Sequence, residues 1–140
     1  MTTKLYNEAI LAEAKAGYGS GTLPTPDGSV TCDNPLCGDR VAVDLNVTES
    51  RIDAFAHRTR GCLLTQAAAS VVGRHAAGAT AEETRAAAAE LRQLLAGEPM
   101  TPSWPELAMF APVATVRSRH ECVLLPFEAL AAALARAGSA

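Results

Sequence analysis

Asn34-Pro35-Leu36-Cys37-Gly38-Asp39-Arg40 runs directly into Val41-Ala42-Val43-Asp44-Leu45-Asn46-Val47-Thr48. The second half alternates apolar and polar residues with a period of two, the clearest strand signal in the chain. The first half is a shaped loop. Proline fixes its own φ and keeps the residue before it out of the helical region, so Asn34-Pro35 is a rigid extended or turn segment. Gly38 admits backbone conformations that other residues resist. The loop therefore aims a thiol, Cys37, and a carboxylate, Asp39, two residues apart. A thiolate with a carboxylate suits a metal of intermediate softness such as zinc or iron. An ordinary turn with a buried free cysteine fits the same seven residues.

Working outward, residues 29–33 read as a short strand before the loop. Glu49-Ser50 reads as a hairpin turn. Residues 51–60 form a third strand, with Ile52, Ala54 and Ala56 on one face and Phe55 on the other. The three strands make a small antiparallel meander. Gly61 breaks the pattern and Cys62 follows. Residues 63–77 are nearly all small or apolar, the mark of a buried helix. Thr80 with Glu83 makes a capping box for a helix to about Ala96, ended by Gly97. Glu98 to Pro105 is a connection with three prolines. Residues 105–111 read as a short helix and 112–119 as an irregular or extended link. A last helix starts near Cys122 and runs to about Ala137. Pro126 argues that Cys122 to Leu125 lie at or before its first turn. At the other end, residues 4–16 form a short helix on Leu5, Ile10 and Leu11, ended by Gly17, and 17–29 is a loop. The expected plan is α+β: a three-stranded antiparallel sheet packed on one side by helices, in one domain spanning residues 1–140.

Bulk properties narrow the function. The chain has 140 residues, 49% apolar but only 4% aromatic, and a net charge of −3. The ten arginines form no basic run. Nothing points to nucleic acid or to an anionic membrane, and no apolar run is long enough to span a bilayer. Met1-Thr2-Thr3-Lys4-Leu5-Tyr6-Asn7-Glu8 lacks the apolar core of a signal peptide, so the expected compartment is cytoplasmic. Cysteines stay reduced there, which favours metal or sulfur chemistry over a disulfide framework.

Three of the four cysteines share a placement at element ends. Cys37 precedes a strand, Cys62 opens a helix, and Cys122 stands at or just before the last helix. The positive end of a helix stabilises a thiolate, so Cys62, and with it Cys122, is expected to have a lowered pKa. Arg119 and His120 favour a thiolate at Cys122, and Glu121 opposes it. The remaining candidates read as structural. Cys32 is a strand residue of the core or its flank. His57 is a surface or packed residue, His75 a polar tip, and Trp104 a packing anchor. Glu82, Glu83 and Glu90 form a solvated helix face.

Asn34-Pro-Leu-Cys-Gly-Asp39, then Gly61-Cys62 with the small-residue helix through Ala67-Ala68-Ala69-Ser70, then a third cysteine opening the last helix, together resemble the IscU/NifU-type iron–sulfur scaffold family over about residues 4–137. That resemblance implies a helix-covered antiparallel sheet and a site of Cys37, Asp39, Cys62 and Cys122. It implies that the site holds iron, a transient [2Fe–2S] cluster or Zn2+. Implied partners are a cysteine desulfurase and cluster-accepting apo-proteins, with the scaffold a monomer or weak dimer. One cysteine of the set accepts persulfide sulfur, and Cys122 is the candidate because its preceding link looks able to swing. Three thiolates and one carboxylate suit tetrahedral zinc. Oxygen is the harder ligand, and we read Asp39 as the group that keeps the cargo releasable.

Around the third cysteine the text is Arg117-Ser118-Arg119-His120-Glu121-Cys122. IscU-type members have Lys-x-His-Cys there, whereas here Glu121 precedes Cys122 and His120 is one place early. An arginine three residues ahead of the cysteine, as Arg119 is, and the sixty-position step from Cys62 to Cys122 are similar to the SufU-type branch. Zinc binding and zinc-dependent sulfur transfer therefore stand beside cluster assembly. The rival readings are a binding module with a purely structural zinc and a cysteine enzyme with Cys62 as nucleophile.

Overall fold

A two-residue turn sets the sheet. Glu49 and Ser50 both take positive φ, 52° and 65°, the handedness that matches the twist of a tight hairpin. They join β2 (Asp39–Thr48) to β3 (Arg51–Arg60). Residues 35–38 join β1 (Gly28–Asn34) to β2, and Asn34 pairs with Asp39 across that connection. The sheet runs β1-β2-β3, antiparallel throughout. The structure, a computed structural model, describes residues 7–138.

One feature of β3 differs from its alternation. Asn46 pairs with Ala54 but Val47 pairs with Ile52, so the register shifts and Asp53 is left over. A one-residue bulge reverses which face the following side chains take. Ile52, opposite Val47, and Phe55, opposite Leu45, therefore share a face. Ala54 and Ala56 lie on the other. The simple alternation predicts Ile52 with Ala54 and Ala56, and the bulge overturns that.

Helices cover the face carrying Val41, Val43 and Leu45, all fully or nearly fully buried. The central one is α2 (Leu63–His75), in which Leu64, Thr65 and Ala67 through Val72 are buried. The all-round small and apolar surface predicted for residues 63–77 is used as expected. Helix α1 (Glu8–Ala16) packs on α2. Its N-cap is Asn7, whose side chain accepts the Ile10 N–H at 3.0 Å, and Gly17 closes it at φ 55°. The predicted first turn at Leu5 lies outside the described residues. An ion pair ties the two helices: buried Glu13 accepts from the partly exposed Arg74 at 2.8 and 2.9 Å and from the Ser70 hydroxyl at 2.9 Å.

Helix α3 (Ala81–Leu95) begins with the predicted Thr80–Glu83 capping box. Beyond it, Trp104 stacks on His75 with ring centroids 4.8 Å apart and packs against Phe127, the anchoring role expected of it. The link is more ordered than its sequence suggests: Pro105–Thr115 and Arg117–Arg119 are 3-10 helical. Helix α4 (His120–Arg136) then packs on β1, β2 and α2. Pro126 is its seventh residue and is buried. The expectation that Cys122 to Leu125 lie at or before the first turn is overturned in part, because the helix starts earlier, at His120. Proline removes only the helical bond to the Cys122 carbonyl, and the ring is spent on the core.

Residues 17–21 lie along β3 and α2. His57 N–H donates to the Gly19 carbonyl at 2.9 Å, and Gly21 N–H donates to the His57 carbonyl at 3.0 Å. The approach to α2 requires glycine at 73, where a Cβ would stand 1.9 Å from the Tyr18 carbonyl oxygen. His57 itself is buried. Its Nε2–H donates to the Tyr18 carbonyl at 2.9 Å and its Nδ1 accepts from the Thr59 hydroxyl at 2.9 Å. Burial holds its pKa below the ordinary value, with Arg58 adding to the effect and the bond to Tyr18 opposing it.

The neutral ring is thus favoured in the fold, whereas the unfolded chain takes up a proton near pH 6.5. Stability should fall as pH drops below that value. Urea midpoints should decrease from pH 7.5 to 5.5, and His57→Gln should be less stable at pH 7.5 but show a shallower slope. Equal slopes for the two proteins would remove His57 as the cause.

Candidate metal centre

The loop before β2 is held by its own backbone. The Asn34 carbonyl accepts the N–H of Cys37 at 3.2 Å and of Gly38 at 2.8 Å, while Asn34 Oδ1 accepts the Leu36 N–H at 3.2 Å. Gly38 sits at φ 74°, the left-handed value for which glycine is suited. The rigid turn predicted from Asn34-Pro35 is present. It leaves Cys37 exposed and Leu36 at 91% exposure. Asp39 opens β2 and is 2% exposed. Cys62 is the N-cap residue of α2. Cys122 is the third residue of α4 and fully buried.

Three of the four predicted residues come together closely. One ligand atom each from Cys37, Asp39 and Cys122 lie within 4.8 Å of one another. The Cys37 and Cys122 sulfurs are 3.8 Å apart. Sulfurs at about 2.3 Å from a tetrahedral zinc stand roughly 3.8 Å apart, so this spacing is that of one edge of a metal tetrahedron and far from a disulfide. Cys62 stands outside that trio. Its N–H donates to Asp39 Oδ1 at 3.1 Å, and its sulfur lies 3.4 Å from the Thr65 hydroxyl.

Asp39 carries the strongest sign of a missing partner. Its Oδ2 is buried with no hydrogen bond. A buried carboxylate oxygen left alone is costly, and native structures rarely tolerate one without a reason. A cation held there would supply that reason, and the donor set suits zinc or iron.

The charge balance differs from expectation at Cys122. Its pKa is raised well above that of an ordinary thiol, first by burial and then by the neighbouring Cys62 and Asp39. The helix N-terminus does not overcome these effects, so the lowered pKa predicted there is overturned. A bound cation would reverse the balance, since metal binding displaces thiol protons. The premise of a swinging link is also not met, because Cys122 sits inside the first turn of α4 behind two 3-10 segments.

The other candidates are occupied elsewhere. His120 Nε2 meets the Val113 and Ala114 carbonyls at 3.0 and 3.2 Å. Cys32 is half-buried on β1 beside Glu128, and its thiol is pushed up by burial, then by the charges of Glu128 and Asp33. His75 pairs with Glu106 at 2.6 Å.

Sequence reading placed Gly61 before Cys62 without its contact to Asp39, and overlooked two other neighbours of the site, Thr65 and Gln66. Gly61 lies against Asp39, where a Cβ would stand 2.4 Å from Oδ1. Thr65 is buried against the Cys62 sulfur. Gln66 Nε2 donates to the Gly61 carbonyl at 2.8 Å. A usable signal existed: polar residues three and four places after Cys62, in an otherwise apolar helix, return to the helix start.

Known proteins resemble this chain in sequence and in fold. A sequence model of the NifU-like N-terminal domain matches residues 5–111, which include Cys37, Asp39 and Cys62 and stop short of Cys122. The iron–sulfur cluster assembly scaffold protein IscU of Streptococcus pyogenes serotype M1 is 27% identical over 138 residues, which are 97% of this chain and 86% of that protein. An IscU scaffold protein of Archaeoglobus fulgidus is 31% identical over 90 residues, 61% of this chain and 59% of its own length. Among solved structures, a nitrogen-fixing NifU-like protein (N-terminal) from Brucella abortus superposes with a TM-score of 0.93 at 33% identity, covering 98% of this chain and 96% of that one. A SUF-system scaffold from Fervidobacterium islandicum, at TM-score 0.87 and 22% identity over 96% of this chain and 99% of that one, shares the fold. The chain belongs to the NifU-like N-terminal domain family.

Proposed function

We propose that this protein is an iron–sulfur cluster assembly scaffold that holds iron or a nascent [2Fe–2S] cluster, with zinc as a stand-in, through Cys37, Asp39, Cys62 and Cys122. The observation that carries the reading is the buried Asp39, whose Oδ2 has no hydrogen bond and whose carboxylate groups with the Cys37 and Cys122 sulfurs. The scaffold named IscU in Streptococcus pyogenes, similar over nearly the whole chain, supports the same function. Its partners on this reading are a cysteine desulfurase that delivers sulfur and apo-proteins that receive the cluster.

Each proposed ligand has a distinct part. Cys37 is exposed and stands at the solvent side, next to the exposed Leu36. Cys122 closes the site from the core. Cys62, whose sulfur lies 3.4 Å from the Thr65 hydroxyl, is the ligand supplied from the start of α2. As sulfur acceptor, Cys122 must lose its proton and attack the outer sulfur of the desulfurase persulfide, releasing the desulfurase thiolate. Its burial means that a cation, or opening of the first turn of α4, precedes that attack. Asp39 supplies the hard oxygen that binds a sulfur-loving cargo least firmly.

A purely structural zinc is the competing reading. It predicts unfolding when the metal is removed, whereas a core of sheet and helices that extends far beyond the site predicts a folded apo-protein. After chelation, circular dichroism and a cooperative urea transition should persist. Cys37→Ala and Cys122→Ala should each weaken zinc binding by at least about 100-fold in chelator competition. Wild-type affinity in both variants would remove the shared site, and a chelator-unfolded protein would favour structural zinc.

A second outcome concerns release. Asp39→Ala, reconstituted anaerobically with iron and sulfide, should pass its cluster to an apo-ferredoxin more slowly than the wild type. An unchanged transfer rate would separate Asp39 from release.

A further inference from the structure

The peptide between Gly61 and Cys62 is gripped at both ends. Gln66 Nε2–H donates to its carbonyl at 2.8 Å, and its own N–H donates to Asp39 Oδ1 at 3.1 Å. A peptide is planar, so fixing the carbonyl fixes the direction of the opposite N–H. Gly61 has no side chain where a Cβ would meet Asp39 Oδ1 at 2.4 Å and Cγ at 2.9 Å. The carboxylate therefore lies directly on this peptide. One oxygen is bonded to it, the other is buried without a hydrogen bond, and the carboxylate stands within 4.8 Å of two thiols.

We infer that Gln66 is a positioning residue for Asp39. Acting through the Gly61–Cys62 peptide, it sets which carboxylate oxygen the metal meets and holds Asp39 to one-oxygen coordination through Oδ2. The inference rests on reading Asp39 as a ligand. Gln66 stands four residues after Cys62, and its backbone N–H already makes the helical bond to the Cys62 carbonyl at 3.0 Å. Helix α2 thus starts without help from this side chain. The side-chain bond is an addition, and its effect falls on the 61–62 peptide. A glutamine that served only to satisfy the Gly61 carbonyl would influence stability and leave the metal site alone.

The test uses Co(II) in the full chain, whose d–d bands report ligand identity and geometry, with affinity read by chelator competition. Gln66→Met keeps the length and removes the donor. It should weaken Co(II) binding about 10- to 100-fold, the range for lost outer-shell support, and shift the d–d bands toward those of Asp39→Ala. Gln66→Lys, which restores an N–H donor at similar reach, should recover binding. In the Asp39→Ala background, Gln66→Met should have no further effect. If Asp39→Ala weakens binding while Gln66→Met matches the wild type in affinity and spectrum, the positioning role is wrong and the ligand reading stands. Equal loss in both backgrounds, or a Gln66→Lys as weak as Gln66→Met, also overturns it. If Asp39→Ala itself binds as the wild type does, the ligand reading fails. Should Gln66→Met not fold, Gln66→Glu, of the same size and without the donor, takes its place in each comparison.

Discussion

A single hydrogen bond joins the two halves of this fold at their chemical end: Cys62 N–H to Asp39 Oδ1, at 3.1 Å. Asp39 begins the central strand and Cys62 begins the central helix. The bond ties the start of β2 to the start of α2, alongside the packing of the helices on the sheet. It also leaves Asp39 half satisfied. An ionised carboxylate out of water demands partners for both oxygens, and protein supplies only one. That incomplete satisfaction is a local flaw in folding terms, and such flaws concentrate where function requires them.

Everything around the flaw is rigid. The turn of residues 35–38 is braced by the Asn34 carbonyl and side chain. Helix α2 is buried along eight of its residues, and α4 carries Cys122 from a fully buried position. Rigid supports hold donor atoms close enough for a metal even though like charges and burial work against ionising them. A raised Cys122 pKa and a bare Asp39 oxygen are two faces of that opposition. On the proposed reading, one bound cation would relieve both.

Much of this was legible in the sequence. Strict alternation at Val41 to Val47 revealed β2, the Thr80–Glu83 pair opened α3, and Asn34-Pro-Leu-Cys-Gly-Asp39 revealed both the turn and its chemistry. Non-local terms hid the rest. The bulge at Asp53 depends on which β2 residue it meets, so alternation within β3 misassigned Ile52. Pro126 is a helix breaker by propensity, yet α4 absorbs it because its ring packs in the core. The Cys122 thiol was misjudged because local sequence shows the helix start but not burial or the approach of Cys62 and Asp39. Gly61 and Gln66 look ordinary until the carboxylate lying on their peptide is seen.

The central claim is that sulfur and one carboxylate oxygen share a single metal. X-ray absorption at the zinc edge of the zinc-loaded protein tests it most directly. The account predicts three sulfur scatterers at about 2.3 Å and one oxygen at about 2.0 Å, with one sulfur lost in Cys37→Ala and the short oxygen shell altered in Asp39→Ala. A first shell of nitrogen and oxygen alone, or one unchanged by both substitutions, would contradict it.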